Sequence, residues 1–545
     1  MMTSIDNIIR PVGPQAKYNT TRHNLGILRA VIVTCRYRIP AGHVWRQSGS
    51  LHEAIENALA HVVLGQAMLR VGIVGEETKE PAFVHLKTID MRRMIEWKDI
   101  VIPAARPDSQ TGMRSEDTSK KAQEEAQYEE RLFRSLEKCH EPLWEDLAGK
   151  PGWKIVVHHD PRQLGALQSS QSPSLDHATQ EDDVLLSFDI SFCFHHAYAD
   201  GRGGYIFHGD LQRALNNAAR PAELQNHILH LPTPPVLPPA MGTLIPFSLS
   251  WGFILRMVCS QILNALPIPV SLRCLLGLEP NEANIPWTGA PIDGSNPKIH
   301  VQTLFKIDDE AQLKGILAQC RNHKSSLTGL LHALIARSLA RHVKDRSFRS
   351  MTPISLAGYA DPNVAGSVFT PGKTIHCLVA GLLSDHDLDA IRRLQRNQDE
   401  KEVPVDEDVA VWTFAQDMTA RLRAKASSLP RDDILALSGL IGDWHEFFRK
   451  KFGKPRDGTW ELSNLGSLSA ADAGMSGPEN GGPWFIDHAV FTQGHAVSAA
   501  INVNVAGVAG HGIHVTTSWQ DGIVDVDLVG KLAGDLQAWV TKLTD

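Results

Sequence analysis

Residues 184–201 read VLLSFDISFCFHHAYADG. Leu186, Phe188, Ile190, Phe192 and Phe194 alternate with Ser187, Asp189, Ser191 and Cys193, the period of a strand with one face in a core. If the pleat runs on, His196 shares the parity of Phe192 and Phe194 and points to the inner side. Asp200-Gly201 is a turn signal, and residues 204–216 (GYIFHGDLQRALN) carry helical spacing. An imidazole is thus delivered from a strand end into an interior space, with a carboxylate four residues later. Of the 25 histidines, only His196 has an aspartate at that offset.

Imidazole suits a reaction in which a hydroxyl must lose its proton as it attacks, because at a pKa of ~6.5 it is partly neutral near pH 7. Transfer of an acyl group from a thioester to an alcohol is such a reaction, and it needs no protein nucleophile. The competing reading is a strand-end histidine that only satisfies a turn hydrogen bond.

Outward from this stretch, the first half mixes strands (28–35, 153–159) with a helix (51–69). The second half starts with a strand at 298–307. Helical patterns follow at 309–321, 326–343, 408–428 and 431–450. Strands fit 351–356 and 374–381, and the end, from Trp484 to Val529, is strand-rich before a short helix. Residues 105–130 and 165–182 are polar and read as surface insertions, since neither can bury enough apolar area to offset ordering. Residues 231–240 (LPTPPVLPPA) read as an extended connector. The expected fold class is α+β, in two halves of comparable size.

At 545 residues the chain is too long for one core. With 43% hydrophobic and 21% charged residues it has an ordinary globular balance. Its net charge of -7 gives no global attraction for nucleic acid or anionic membranes. Seven cysteines, none in a CxxC pair, argue against a zinc ribbon or a disulfide scaffold. The N-terminus shows no apolar signal segment. Residues 244–270 are strongly apolar but contain Arg256 and three prolines; a buried or groove-covering helix, a helix lying on a membrane surface and a membrane span compete there. No P-loop and no GxSxG elbow occur. His511 and His514, three apart on a strand, would face opposite sides and share no metal.

HHAYADG resembles the HHxxxDG motif of the chloramphenicol-acetyltransferase-like superfamily, which includes condensation domains and CoA-dependent acyltransferases. RPVGPQAKYNTTRHNLGILRAVIVTCRY near the start, HHAYADGRGG, and WELSNLGSL, FTQGHAVSAAINVNVAGVAG and SWQDGIV near the end resemble the fungal alcohol acetyltransferases. The resemblance implies two pseudo-symmetric sheet-and-helix domains with an active-site tunnel between them: 1–230 carrying the motif, a connector at 231–290, and 291–545. It implies His196 as general base, Asp200 as a structural carboxylate held by an arginine, and supporting roles for His195 and Gly201. Ser463 and Asn464 are the candidates for oxyanion or substrate binding. Acetyl-CoA, or another acyl-CoA, would be the cosubstrate and a small alcohol the acceptor, with no metal and no permanently bound cofactor. A cytoplasmic monomer is expected, with peripheral attachment to endoplasmic reticulum or lipid droplets through 244–270 as the alternative.

One departure stands out. Relatives often carry an arginine in a pattern like SLR after a second-domain strand; here residues 355–358 are Ser-Leu-Ala-Gly, with Ala357 at that place. Asp200 would then turn to Arg22, Arg36 or Arg38. A carrier-protein thioester or an amine acceptor, as in condensation domains, and a non-catalytic binding relative are the alternative functions.

Overall fold

A computed structural model describes residues 7–40, 50–101, 115–162, 185–217, 224–265, 285–395, 408–469, 483–495 and 497–544. The fold is mixed α+β. The alternation at 185–194 does what its period predicts. Strand Leu185–Phe194 buries Leu186, Phe188, Ile190, Phe192 and Phe194 in the main core. Phe192 stacks on Phe207 of helix Gly201–Asn216, ring centroids 3.9 Å apart. The opposite face is also covered: Cys193 packs with Leu132, Phe133 and Leu136 of helix Ser115–His140. Asp189 on that face is buried and paired with Arg36 across the ladder. Burial on both faces explains why Ser191 and Asp189 are enclosed although they read as the polar side.

The motif strand is central in a five-stranded sheet. In order, its strands are Phe485–His495, Leu28–Pro40, Leu185–Phe194, Trp153–His159 and Ile95–Asp99. The first of these comes from the far end of the chain, and pairs antiparallel with Leu28–Pro40 (Ala489 opposite Cys35). A six-stranded sheet runs Ile299–Ile307, Gly512–Gln520, Ala499–Val508, Gly458–Leu468, Phe348–Ser355, Val379–His386. Helices Leu327–His342, Val409–Ser428 and Val526–Thr544 cover its apolar side. Its other side meets strand Phe485–His495 through hydrogen bonds: Thr516 Oγ1 donates to Phe491 O and Ser518 Oγ to Gln493 O, both at 2.7 Å. The two sheets are therefore stitched by a strand that lies in the second half of the sequence and in the first sheet of the fold.

Several expectations are corrected. Residues 115–130 are not a loose insertion but the start of helix Ser115–His140, anchored by the apolar side chains of its later turns; residues 105–114 and 165–182 lie outside the described residues. The strand expected at 374–381 is displaced to Val379–His386, which leaves 374–378 as irregular backbone with its N–H and C=O groups available to the motif. The helix expected over 431–450 breaks into a 3-10 turn, Ile434–Leu440, and helix Trp444–Arg449. Asp433 and Asp443 cap these two pieces separately, so each starts afresh. The strand-rich end stops at Gln520, and helix Val526–Thr544 begins before Val529.

The apolar segment is also corrected as far as it is described. Over residues 251–259, helix Trp251–Ala265 is not buried: Trp251 is 86% exposed and Leu255 65%. No helix among the described residues is long and apolar enough to cross a membrane. Residues 266–270 lie outside the described residues.

Candidate active site

His196 follows the motif strand directly and is half-buried where the first-sheet motif meets residues 376–378 and 465 of the second half. Its Nδ1 lies 2.8 Å from the backbone oxygen of Ala199. A carbonyl only accepts, so Nδ1 carries the proton and Nε2 carries the lone pair. Nε2 makes no hydrogen bond among the described residues. Burial, with Arg22 nearby as the next cause, pushes the pKa of His196 down to about 4. The ring is neutral at physiological pH, with its basic nitrogen unoccupied.

Two further contacts hold this residue. Asn19, on helix Pro14–Asn24, donates from Nδ2 to the backbone oxygen of His196 at 3.1 Å and to Cys377 Sγ at 3.4 Å. The Cys377 thiol lies 3.6 Å from His196 Nδ1, and burial pushes its pKa up, so it is a neutral neighbour.

His195 points the other way, into the fold. Its Nε2–H donates to Glu76 Oε1 at 2.8 Å, and its Nδ1 accepts the N–H of Ala197 at 3.0 Å. His23 mirrors it: Nδ1–H donates to Glu76 Oε2 at 2.8 Å, and Nε2 accepts the N–H of Trp144 at 2.9 Å. Glu76 is thereby held low, to about 2, by both imidazoles acting against its burial, and burial pushes His23 down to about 4. The three side chains place their ligand atoms within 4.8 Å of one another, as a metal site would. The geometry of the outer nitrogens opposes that use. A cation on the inner nitrogens would move each ring proton to the outer one, where a backbone N–H already points at it. The cluster reads instead as an anchor for the motif.

Asp200 is buried, and its carboxylate is spent on backbone. Oδ1 accepts from Gly203 N at 2.9 Å and caps helix Gly201–Asn216; Oδ2 accepts from Leu378 N at 3.0 Å. The expected arginine partner is absent among the described residues. Arg22 donates to Asn19, Arg36 pairs with Asp189 and Glu125, and Arg38 pairs with Asp487. Burial accordingly pushes the carboxyl of Asp200 above its usual range. Ala357 lines a cavity of about 170 Å³ together with Asp200, Arg202, Ser355, Thr374 and His376. The place where the arginine is missing from the sequence is thus a void beside Asp200.

Gly201 is required for space, since a Cβ there would run into Leu465 and Phe491. Arg202 donates from Nη1 to Leu465 O at 2.9 Å, which brings strand Gly458–Leu468 against the motif. Ser463 and Asn464 lie on this strand. Asn464 is committed elsewhere: Nδ2 donates to Thr328 Oγ1 at 3.1 Å and Oδ1 accepts from Gly466 N at 2.8 Å. Ser463 is buried on the face opposite Leu462, which packs under the helices. Arg22 was named from the sequence only as a possible partner of Asp200, and Asn19, Glu76 and Cys377 were not singled out at all. Asn19 and Arg22 belong to a polar run, Asn19–His23, that is buried almost whole within a helix.

No family model matches the chain. It is 27% identical over 546 residues to the probable alcohol acetyltransferase FCK4 of Fusarium pseudograminearum, covering 98% of this chain and 96% of that one. It is 22% identical over 519 residues to the probable alcohol acetyltransferase crmB of Aspergillus fumigatus, covering 92% and 93%. Among solved structures, the trichothecene 15-O-acetyltransferase TRI3 of Fusarium sporotrichioides superposes with a TM-score of 0.60 at 13% identity, covering 98% of this chain and 94% of that one. The condensation domain of the monacolin K polyketide synthase MokA superposes with a TM-score of 0.50 at 9% identity, covering 98% and 96%. These structures share the fold. With its near-full-length similarity to the two fungal proteins and its condensation-type fold, the chain is an acyltransferase enzyme, a homologue of the probable fungal alcohol acetyltransferases.

Proposed function

We propose that the chain transfers an acyl group, acetyl in the first instance, from acyl-CoA to the hydroxyl of an alcohol, with His196 as general base. The observation that carries this reading is the tautomer set by Ala199: with Nδ1–H held at 2.8 Å, the lone pair on Nε2 is the one open base at the motif. The alcohol oxygen bonds to the thioester carbon, its proton passes to Nε2, and the carbonyl electron pair moves onto oxygen. Collapse breaks the C–S bond, and Nε2–H returns the proton to the departing thiolate. A depressed imidazole is a weak base but, once protonated, a strong acid, which favours the second half of this cycle.

Asp200 serves structurally, since both its oxygens hold backbone N–H groups. Ser463 remains the candidate donor to the oxyanion. The exposed apolar face of helix Trp251–Ala265 supports peripheral contact with a membrane surface, which liposome flotation of the whole chain against a Trp251→Ser, Leu255→Ser variant tests.

The test of the activity is thiol release from acetyl-CoA in the presence of an alcohol panel. Purified protein should release CoA with at least one alcohol. His196→Ala should lower the rate by roughly 10²–10⁴-fold. Full activity in that variant overturns the reading.

A further inference from the structure

Arg22 sits in the last turn of helix Pro14–Asn24 and is only 8% exposed. A guanidinium has five N–H donors. Here one acceptor is engaged: Nη2 donates to Asn19 Oδ1 at 2.6 Å. Nε is enclosed with no hydrogen-bond partner, and no carboxylate among the described residues pairs with the group. Its other neighbour is the ring of Tyr18, 4.2 Å from centroid to guanidinium carbon. Other arginines buried to this depth have a carboxylate or two acceptors beside them. Arg36 holds Asp189, Arg337 holds Asp408 at 2.7 Å, and Arg456 is spent on Ala290 O and Gln520 Oε1.

An uncompensated buried cation is costly, and its cost is offset where a ligand brings the counter-charge. The place of Arg22 says which ligand. One amide, Asn19, separates it from the backbone of His196 and from Cys377. It therefore lies two hydrogen bonds from His196, near enough for its charge to act on that imidazole. The pantetheine arm of CoA keeps the phosphates of the donor far from its thioester, so they are not the anion in question.

We propose that Arg22 is an anion-binding residue of the reaction site, holding a negatively charged oxygen beside His196. That oxygen comes either from a carboxylate on the acceptor alcohol or from the carbonyl as it becomes the tetrahedral oxyanion. The inference rests on the reading of His196 as the base. It differs from that reading in predicting charge selectivity. Tyr18 and Asn19 hold the guanidinium in place, and its positive charge is what the anionic oxygen would engage.

The experiment has two arms on the whole chain. In the first, thermal protection is measured in the presence of CoA with 3-hydroxybutyrate and benzoate, against 3-hydroxybutyramide and benzamide, for wild type and Arg22→Gln. Protection by the acids alone, weakened about tenfold or more in Kd by Arg22→Gln, establishes a carboxylate on the acceptor. In the second, kcat and KM are measured for neutral alcohols with wild type, Arg22→Lys and Arg22→Gln. A fall in kcat at constant KM, greater for Gln than for Lys, establishes the oxyanion.

Equal protection by acids and amides, together with unchanged kcat in Arg22→Lys and Arg22→Gln, overturns the proposal. If Arg22→Gln does not fold, the wild-type comparison of acid with amide and the kinetics of Arg22→Lys decide it: no preference and wild-type kcat overturn it. Transfer that proceeds without regard to Arg22 sinks this inference and leaves the role of His196 standing. Carboxylate binding that needs Arg22 in a chain that transfers nothing does the reverse.

Discussion

The carboxylate of Asp200 and the backbone N–H of Leu378 meet at 3.0 Å across 178 positions of sequence. This bond ties the end of the motif to the second half of the chain, with no cation paired to the carboxylate among the described residues. Asp200→Asn should break it, because an amide presents an N–H to one of two backbone donors. The expected cost is about 1–3 kcal/mol of stability. Activity should fall further than folding does, as read by comparing the urea midpoint with CoA release. An Asn variant as stable and active as wild type would remove Asp200 from the account.

Filling the void beside Asp200 should restore the missing partner. Ala357→Arg places a cation in the cavity of about 170 Å³ that Ala357 and Asp200 both line. The expected gain is up to about 2 kcal/mol, less whatever desolvation of the new charge takes back. Ala357→Leu, of similar bulk and no charge, is the control. The melting temperature should rise for Arg above Leu; the opposite order would show that the cavity does not reach the carboxylate.

Gly201→Ala should be poorly tolerated, since the new methyl group meets Leu465 and Phe491. Overpacking of this kind costs about 1–3 kcal/mol. Because the strain falls on the turn after His196, kcat should drop in the fraction that remains folded. A fluorescence melt and a rate on the same sample separate the two effects.

Glu76 accepts a hydrogen bond from His195 and from His23, and its removal leaves both buried N–H groups without a partner. Glu76→Ala should lower the melting temperature by several degrees, from a loss of about 2–5 kcal/mol. Glu76→Gln, which retains one acceptor, should lie between. Adding zinc to wild type should not raise the melting temperature. A large rise would mean that the cluster is a metal site after all.

The pH dependence follows from buried neutral imidazoles. His23, His158, His196 and His208 are each pushed down to about 4, first of all by burial. For a histidine whose folded pKa lies below its unfolded value, stability is fully present above about 6.5 and is lost as pH falls toward the folded value. Unfolding should therefore become steeply easier from pH 6.5 down to 4, with protons taken up. Thermal melts across that range check it; a flat melting temperature down to pH 4.5 would contradict the burial of these rings. Likewise the acid limb of kcat/KM should lie well below 6.5, nearer 4, if His196 is the base.

The motif strand, its inward face and the helix after Gly201 were legible because they depend on local features: a two-residue period, an Asp-Gly turn and a 3.6-residue period. Helix Leu51–Gly65 and strand Trp153–His159 were legible for the same reason. For helix Trp251–Ala265 the sequence left burial, a surface position and a span in competition, because hydrophobicity does not say whether a partner surface exists; the structure exposes Trp251 and Leu255. The strand expected at 374–381 was displaced because 374–378 answers to Asp200 and to Gln66 rather than to a ladder.

The residues themselves determined that an imidazole would stand at the end of a buried strand, and that no arginine would follow Ser355-Leu356. Only the tertiary structure decided what surrounds that imidazole. Sheet pairing and helix docking, which act between residues hundreds of positions apart, brought Asn19 to the backbone of His196, Glu76 to His195 and Leu378 to Asp200. They also left Arg22 without a carboxylate among the described residues. Such partnerships depend on which surfaces meet when apolar faces are buried, and no local period encodes them.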